Sequence, residues 1–366
     1  MNFEHEHSNT KGNPMSLRNL SPQAMFRSFA AEHTPTCKFT ADSVDACSAW
    51  QDEALPQVLA TLGDHPERVD LNPHLVVEWE HDGLIKQRWL IDVQEHLSAS
   101  LLIAKPADMQ DGDDRPAILC CHGHGEFGKE PVMGNDNSPD LRANIEFHGY
   151  NYGHVMAKHG FVTYAIDWIG FGERNDGDRP NSNDIARGRD WCNVYYLHAT
   201  MLGMTSLSIN VTHGKAATDF VATQPGVDAN RFGVMGLSGG GTMTLWMALC
   251  DERFKAAEII CYSDLWEHFG IRDANYCGMQ VAPGLFKLVD LPDLQGLLVP
   301  RPLMLTLGVN DSCFRIDTAM ECVKQTKHIY DVAGASDKFE IDLHGREHGW
   351  PDNKSEGFFK QHLNFG

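Results

Sequence analysis

Ser238 lies in Gly233-Val-Met-Gly-Leu-Ser-Gly-Gly-Gly-Thr242, a hydroxyl set among five glycines at the end of a short apolar run. Gly236, Ser238 and Gly240 read G-x-S-x-G, a spacing in which glycines relieve crowding where a strand turns sharply into a helix and pushes a nucleophile outward. A serine hydroxyl attacks poorly at neutral pH, so it needs a base to take its proton and a group to orient that base. Asp311 and His348 suit these tasks. Asp311 follows Gly308-Val-Asn, and His348 lies in His344-Gly-Arg-Glu-His-Gly-Trp350.

The motif is short, and its neighbourhood gives it weight. Arg231 to Leu237 reads as a buried strand behind the turn pair Pro225-Gly226, and Thr242 to Cys250 reads as an apolar helix. Further apolar runs at 117–122, 161–167, 256–262, 302–308 and 339–343 alternate with helical patterns. This rhythm predicts a mostly parallel sheet covered on both faces, with ligands bound along the carboxyl edge of the strands. Ser238, Asp311 and His348 all fall just past strand ends. Closely spaced runs at Leu75–Trp79, Arg88–Val93 and Ser98–Ala104 read as antiparallel neighbours of that sheet. Residues 1–65 read as a partly helical extension, with helices at 21–33 and 48–63, and residues 66–366 as the domain carrying the chemistry. The irregular stretch 266–291 reads as an inserted roof.

Attack on a carbonyl also needs two donors for the developing oxyanion. The N–H of Gly239, which follows the serine, is one. The N–H of His124, flanked by glycines in His122-Gly-His-Gly125 after the first parallel strand, is the other. Trp168, Trp266, Tyr276 and Trp350 are candidates to line a substrate pocket, against core packing as the plain alternative.

Rivals remain for several roles. Asp264 follows the preceding strand and competes with Asp311; His344 ends its strand too early to fold back as His348 can. His122, His124, His344 and His348, with Glu126, have the chemistry of metal ligands, which predicts a metal-dependent hydrolase instead. A binding module without catalysis is a third reading.

Composition narrows the field. The chain has 366 residues, 42% of them hydrophobic, and a formal charge of −20 from 30 basic and 50 acidic side chains. No basic run offsets this, which disfavours nucleic acid and anionic membranes as partners. No stretch is long and apolar enough to span a bilayer, and the N-terminus lacks a signal-like apolar core. Ten cysteines without C-x-x-C spacing read as free thiols in a reducing, cytoplasmic setting. No pattern implies a cofactor, and oligomeric state is not written in the sequence.

From about Trp50 onward the chain resembles the α/β-hydrolase superfamily, in its dienelactone-hydrolase-like and acetylxylan-esterase-like branch. The resemblance rests on HGHG at 122–125, AIDWIGFGER at 165–174, residues 231–257 around the elbow, 283–311 and EHGW at 347–350. It implies an eight-stranded α/β-hydrolase fold, the triad Ser238, Asp311 and His348, and hydrolysis of carboxylic esters, including small acyl or acetyl-sugar esters, through an acyl-enzyme. Dienelactone hydrolases proper use a cysteine nucleophile where this chain has Ser238.

Overall fold

The computed structural model describes residues 20–176 and 190–366. Among these residues nine strands form one sheet: β1 (His74–His81), β2 (Leu84–Gln94), β3 (Leu97–Pro106), β4 (Arg115–Cys121), β5 (Val162–Ile166), β6 (Val227–Leu237), β7 (Phe254–Ile260), β8 (Leu303–Gly308) and β9 (Phe339–His344). Their order is β1-β2-β3-β5-β4-β6-β7-β8-β9. From β5 to β9 neighbouring strands are parallel, whereas β1, β2 and β3 join by antiparallel ladders and β3 pairs antiparallel with β5. All nine runs read as strands are present, and β1 at the edge is one more than the eight that the resemblance implies.

Burial explains the sequence pattern. Residues 116–121 of β4 and all of β5 and β8 are buried, so they read as unbroken apolar runs instead of alternating ones. β1 is exposed along almost its whole length on both faces, as befits an edge strand. The helix Gly239–Cys250 is buried at every position but its last, which is why it is apolar on all sides. No helix among the described residues is long and apolar enough to cross a membrane.

Among the described residues two helices precede the sheet. Pro22–Glu32 begins as expected, with Ser21 capping the Ala24 amide and Pro22 in the first turn. The second spans Val44–Ala60, starting four residues before the predicted 48 because the Ser43 hydroxyl caps the Ala46 amide. This arm is fastened to residues 271–293. Gln23 and Arg27 donate to the carbonyls of Ile271 and Arg272, the Cys37 amide donates to Leu288 O, and the Phe39 amide donates to Asp293 Oδ1. Within the segment 266–291 lie a widened helical turn Trp266–Arg272, a tight turn Gly278–Gln280 and a short helix Leu285–Leu288.

One buried acid in the sheet has a measurable consequence. Glu258 on β7 is fully buried, and burial pushes its carboxyl up to about 8, the hydroxyls of Ser355 and Thr306 only partly countering. The folded protein therefore keeps this group protonated where the unfolded chain ionises it, and the stability it contributes is lost as pH rises from 4.5 to about 8. Across that window the wild-type melting temperature should fall relative to Glu258→Gln by about 5 °C. Parallel melting curves for the two proteins would contradict a protonated Glu258.

Candidate active site

The elbow forms where β6 meets the helix Gly239–Cys250. Ser238 sits between them at φ 61° and ψ −120°, a conformation side-chain-bearing residues rarely adopt. Its amide donates to Ile260 O at 2.8 Å, which pins the turn to the end of β7. The two motif glycines are required by close approach: a Cβ on Gly240 would lie 2.0 Å from the Cys121 carbonyl oxygen, and one on Gly236 would lie 2.5 Å from it. The glycines let the strained turn press against the end of β4.

Asp311, in the loop after β8, and His348, in the loop after β9, come together. His348 Nδ1 lies 2.8 Å from Asp311 Oδ2, and the other carboxylate oxygen accepts from the amides of Cys313 and Phe314 at 2.7 and 3.0 Å. Burial opposes ionisation of Asp311, but these bonds outweigh it and hold the carboxyl below its ordinary range. An ionised carboxylate only accepts, so it selects the Nδ1–H tautomer and leaves Nε2 as the acceptor. The imidazole stacks on Phe314, with centroids 5.9 Å apart and planes at 13°. His148 donates from Nδ1 to the His348 carbonyl, which holds the loop from its other side.

Asp264 is differently engaged. It is buried, accepting from the Leu265 amide and the Thr318 hydroxyl, each at 2.7 Å, and burial raises its pKa. His344 is buried at the end of β9, and neither ring nitrogen has a partner among the described residues.

The loop after β4 is built around His122. This ring donates from Nδ1 to Gly123 O at 2.8 Å and accepts the Trp168 amide at Nε2 at 2.9 Å, and burial pushes its pKa down to about 4. It latches the loops after β4 and β5 together. A second latch is ionic: Lys129, buried, donates to Asp167 Oδ2 at 2.7 Å, while the Lys129 amide donates to Oδ1 at 2.8 Å. Between these latches lies His124. Its backbone N–H and that of Gly239 have no acceptor among the described residues, and a Cβ on Gly239 would lie 2.9 Å from His124 Nδ1, so the two residues adjoin.

A cavity of about 380 Å³ brings Ser238, His348, His124 and Tyr276 to one surface. Asn144, His148 and Tyr150 also line it, contributed by the helix Pro139–His148 and the residues after it, which sequence reasoning did not single out. A larger cavity of about 490 Å³, between β2, β3 and the helix Trp191–Met201, contains none of the predicted site residues.

Three expected lining aromatics lie elsewhere. Trp168 and Trp350 are in the core, 0% and 2% exposed, and Trp350 donates to Ser355 Oγ at 2.9 Å. Trp266 packs edge-on against Phe286 at 5.9 Å and lines a separate cavity of about 200 Å³ bordered by residues of the segment 266–291, Tyr276 among them. Large flat rings gain most where packing is dense, which favours such placements over an open pocket. The four histidines weighed as metal ligands do not converge either: both nitrogens of His122 are engaged, His348 faces Asp311, and His124 Nε2 faces Cys277 Sγ at 2.8 Å. Among the described residues Glu126 joins no group of side chains close enough to share a metal ion.

Residues 4–357 match the model of the Abhydrolase family. A candidate hydrolase of Bacillus subtilis (strain 168), YtaP, is 25% identical over 296 residues, covering 79% of this chain and 91% of that protein. Among solved structures, a candidate acetyl xylan esterase of Bacteroides fragilis has a TM-score of 0.70 at 18% identity, with 89% of this chain and 83% of that one covered. A promiscuous CE15 esterase from a marine bacterial metagenome has a TM-score of 0.61 at 15% identity, with 91% and 98% covered. At such identities the structural likeness speaks for the fold.

Proposed function

Because the chain belongs to the Abhydrolase family, we propose that it is a serine hydrolase cleaving carboxylic esters through an acyl-enzyme, with Ser238 as nucleophile, His348 as base and Asp311 as its orienting acid. The observation that carries this reading is the 2.8 Å pairing of Asp311 with His348, which lines the same cavity as the strained Ser238. In the first step His348 Nε2 takes the serine proton as Oγ attacks the carbonyl, and the amides of Gly239 and His124 receive the oxyanion. His348 then returns the proton to the departing alcohol. Water repeats the sequence in reverse and frees the acid.

The cavity favours a short acyl group on a polar alcohol. Its wall carries Asn144, Asn193 and Asn275, polar side chains of the kind that hydrogen-bond a substrate hydroxyl. Solved structures of similar fold include a candidate acetyl xylan esterase and a glucuronoyl esterase, names that fit that chemistry. Across p-nitrophenyl esters, kcat/KM should fall by about tenfold or more between acetate and octanoate. Acetylated sugars should be deacetylated, and Asn144→Ala should raise KM for them more than for p-nitrophenyl acetate. A preference for octanoate with no action on acetylated sugars would refute this substrate class and leave the triad standing.

A further inference from the structure

We propose that His124, Cys192 and Cys277 form a transition-metal site of the zinc class beside the Ser238 cavity. The three residues come from separate parts of the fold: the loop after β4, the helix Trp191–Met201 and the roof. Their donor atoms nevertheless lie within 4.8 Å of one another, with His124 Nε2 at 2.8 Å from Cys277 Sγ. Both cysteines are buried, 3% and 8% exposed. A tetrahedral zinc with bonds of about 2.3 Å to sulfur and 2.0 Å to nitrogen sets its ligands about 3.5–3.8 Å apart, so movements on the order of 1 Å complete the site. One imidazole and two thiolates suit a borderline-soft ion and leave a fourth position for water.

The surroundings hold these ligands in place. The Gly278 amide donates to Asn193 Oδ1 at 2.8 Å, joining the segments that carry Cys277 and Cys192. The Cys277 amide donates to Gln280 Oε1 at 3.2 Å, and Gln280 Nε2 donates to Thr242 Oγ1 at 2.9 Å on the helix that begins after Ser238. Binding releases the two thiol protons to solvent, His124 ligates as neutral imidazole, and the two thiolates balance the charge of a divalent ion without any redox step. The ion would clamp the roof to the loop that presents the His124 amide.

The full-length protein, stripped with chelator under reducing conditions and then titrated, tests this. It should bind about one Zn²⁺ per chain in addition to any ion retained by Cys192→Ser and Cys277→Ser. Co²⁺ should produce a thiolate charge-transfer band, absent in both variants and present in Cys250→Ser, with affinity at least about tenfold weaker in the first two. In the wild-type chain, which needs no substitution to be folded, Zn²⁺ should slow alkylation of Cys192 and Cys277 about tenfold or more while leaving Cys313 unchanged. Cobalt bound without the band, unchanged alkylation of Cys192 and Cys277, or a Cys192–Cys277 disulfide with no metal uptake after reduction would overturn the proposal.

Discussion

Ser238→Ala should lower kcat/KM for p-nitrophenyl acetate by about 10³- to 10⁶-fold and leave the melting temperature nearly unchanged. The size of the loss follows from the role: without Oγ no acyl-enzyme forms, and what remains is the background supplied by the oxyanion donors and binding. The unchanged fold follows from the backbone. Alanine has the same Cβ as serine, so it meets the same cost at φ 61°, and the bond from the residue 238 amide to Ile260 O is retained. A fluorophosphonate should mark the wild-type enzyme on Ser238, read by mass spectrometry, and leave the variant unmarked. Turnover near the wild-type rate in the variant would remove the nucleophile from the mechanism.

Asp311→Asn should cost about 10³- to 10⁴-fold in kcat, whereas Asp264→Asn should cost under about tenfold. The asparagine amide can present N–H to His348 Nδ1, which selects the tautomer whose Nε2 carries a proton and cannot accept one from Ser238. It also removes the negative charge facing the imidazolium of the transition state. Because Asp311 is held below its ordinary range, the wild-type carboxyl remains ionised throughout neutral assays, so the comparison reads the loss of a charged carboxylate. Asp264 is occupied by Thr318 and Leu265, away from the His348 ring, so its substitution should act through local packing alone. The reverse ranking of the two variants would place the acid after β7.

Much of this arrangement is legible in the sequence because it depends on local patterns. β4, β5 and β8 are buried on both sides and announce themselves as apolar runs, and the polar residues after them must fall on one edge of the sheet. The elbow glycines mark a place where backbone touches backbone, a constraint short enough to be written within ten residues. What is hidden depends on direction and distance. Whether Trp168 turns into the core or the cavity depends on packing contributed by chain far away, and residue type alone does not decide it. Asn144, His148 and Tyr150 carry no motif, since their helix is brought to the cavity by the path of the loop after β4. Cys192 and Cys277 lie far apart along the chain, so spacing rules for metal ligands pass over them.

The fastening of the N-terminal arm bears on the order in which the protein assembles. Gln23, Arg27 and Phe39 bond to residues 248, 245 and 254 positions further along. Ribosomes deliver the arm first, but its acceptors on Ile271, Arg272 and Asp293 do not exist until most of the sheet has been made. Contacts of such long range carry the largest loop-closure entropy and form late. These two helices, made before their partners, are therefore among the last to dock, and the segment 271–293 gains these bonds only when they do. Until then the partly made chain holds an open cavity and two amphipathic helices exposed to the surroundings, the stage at which a chaperone would matter most.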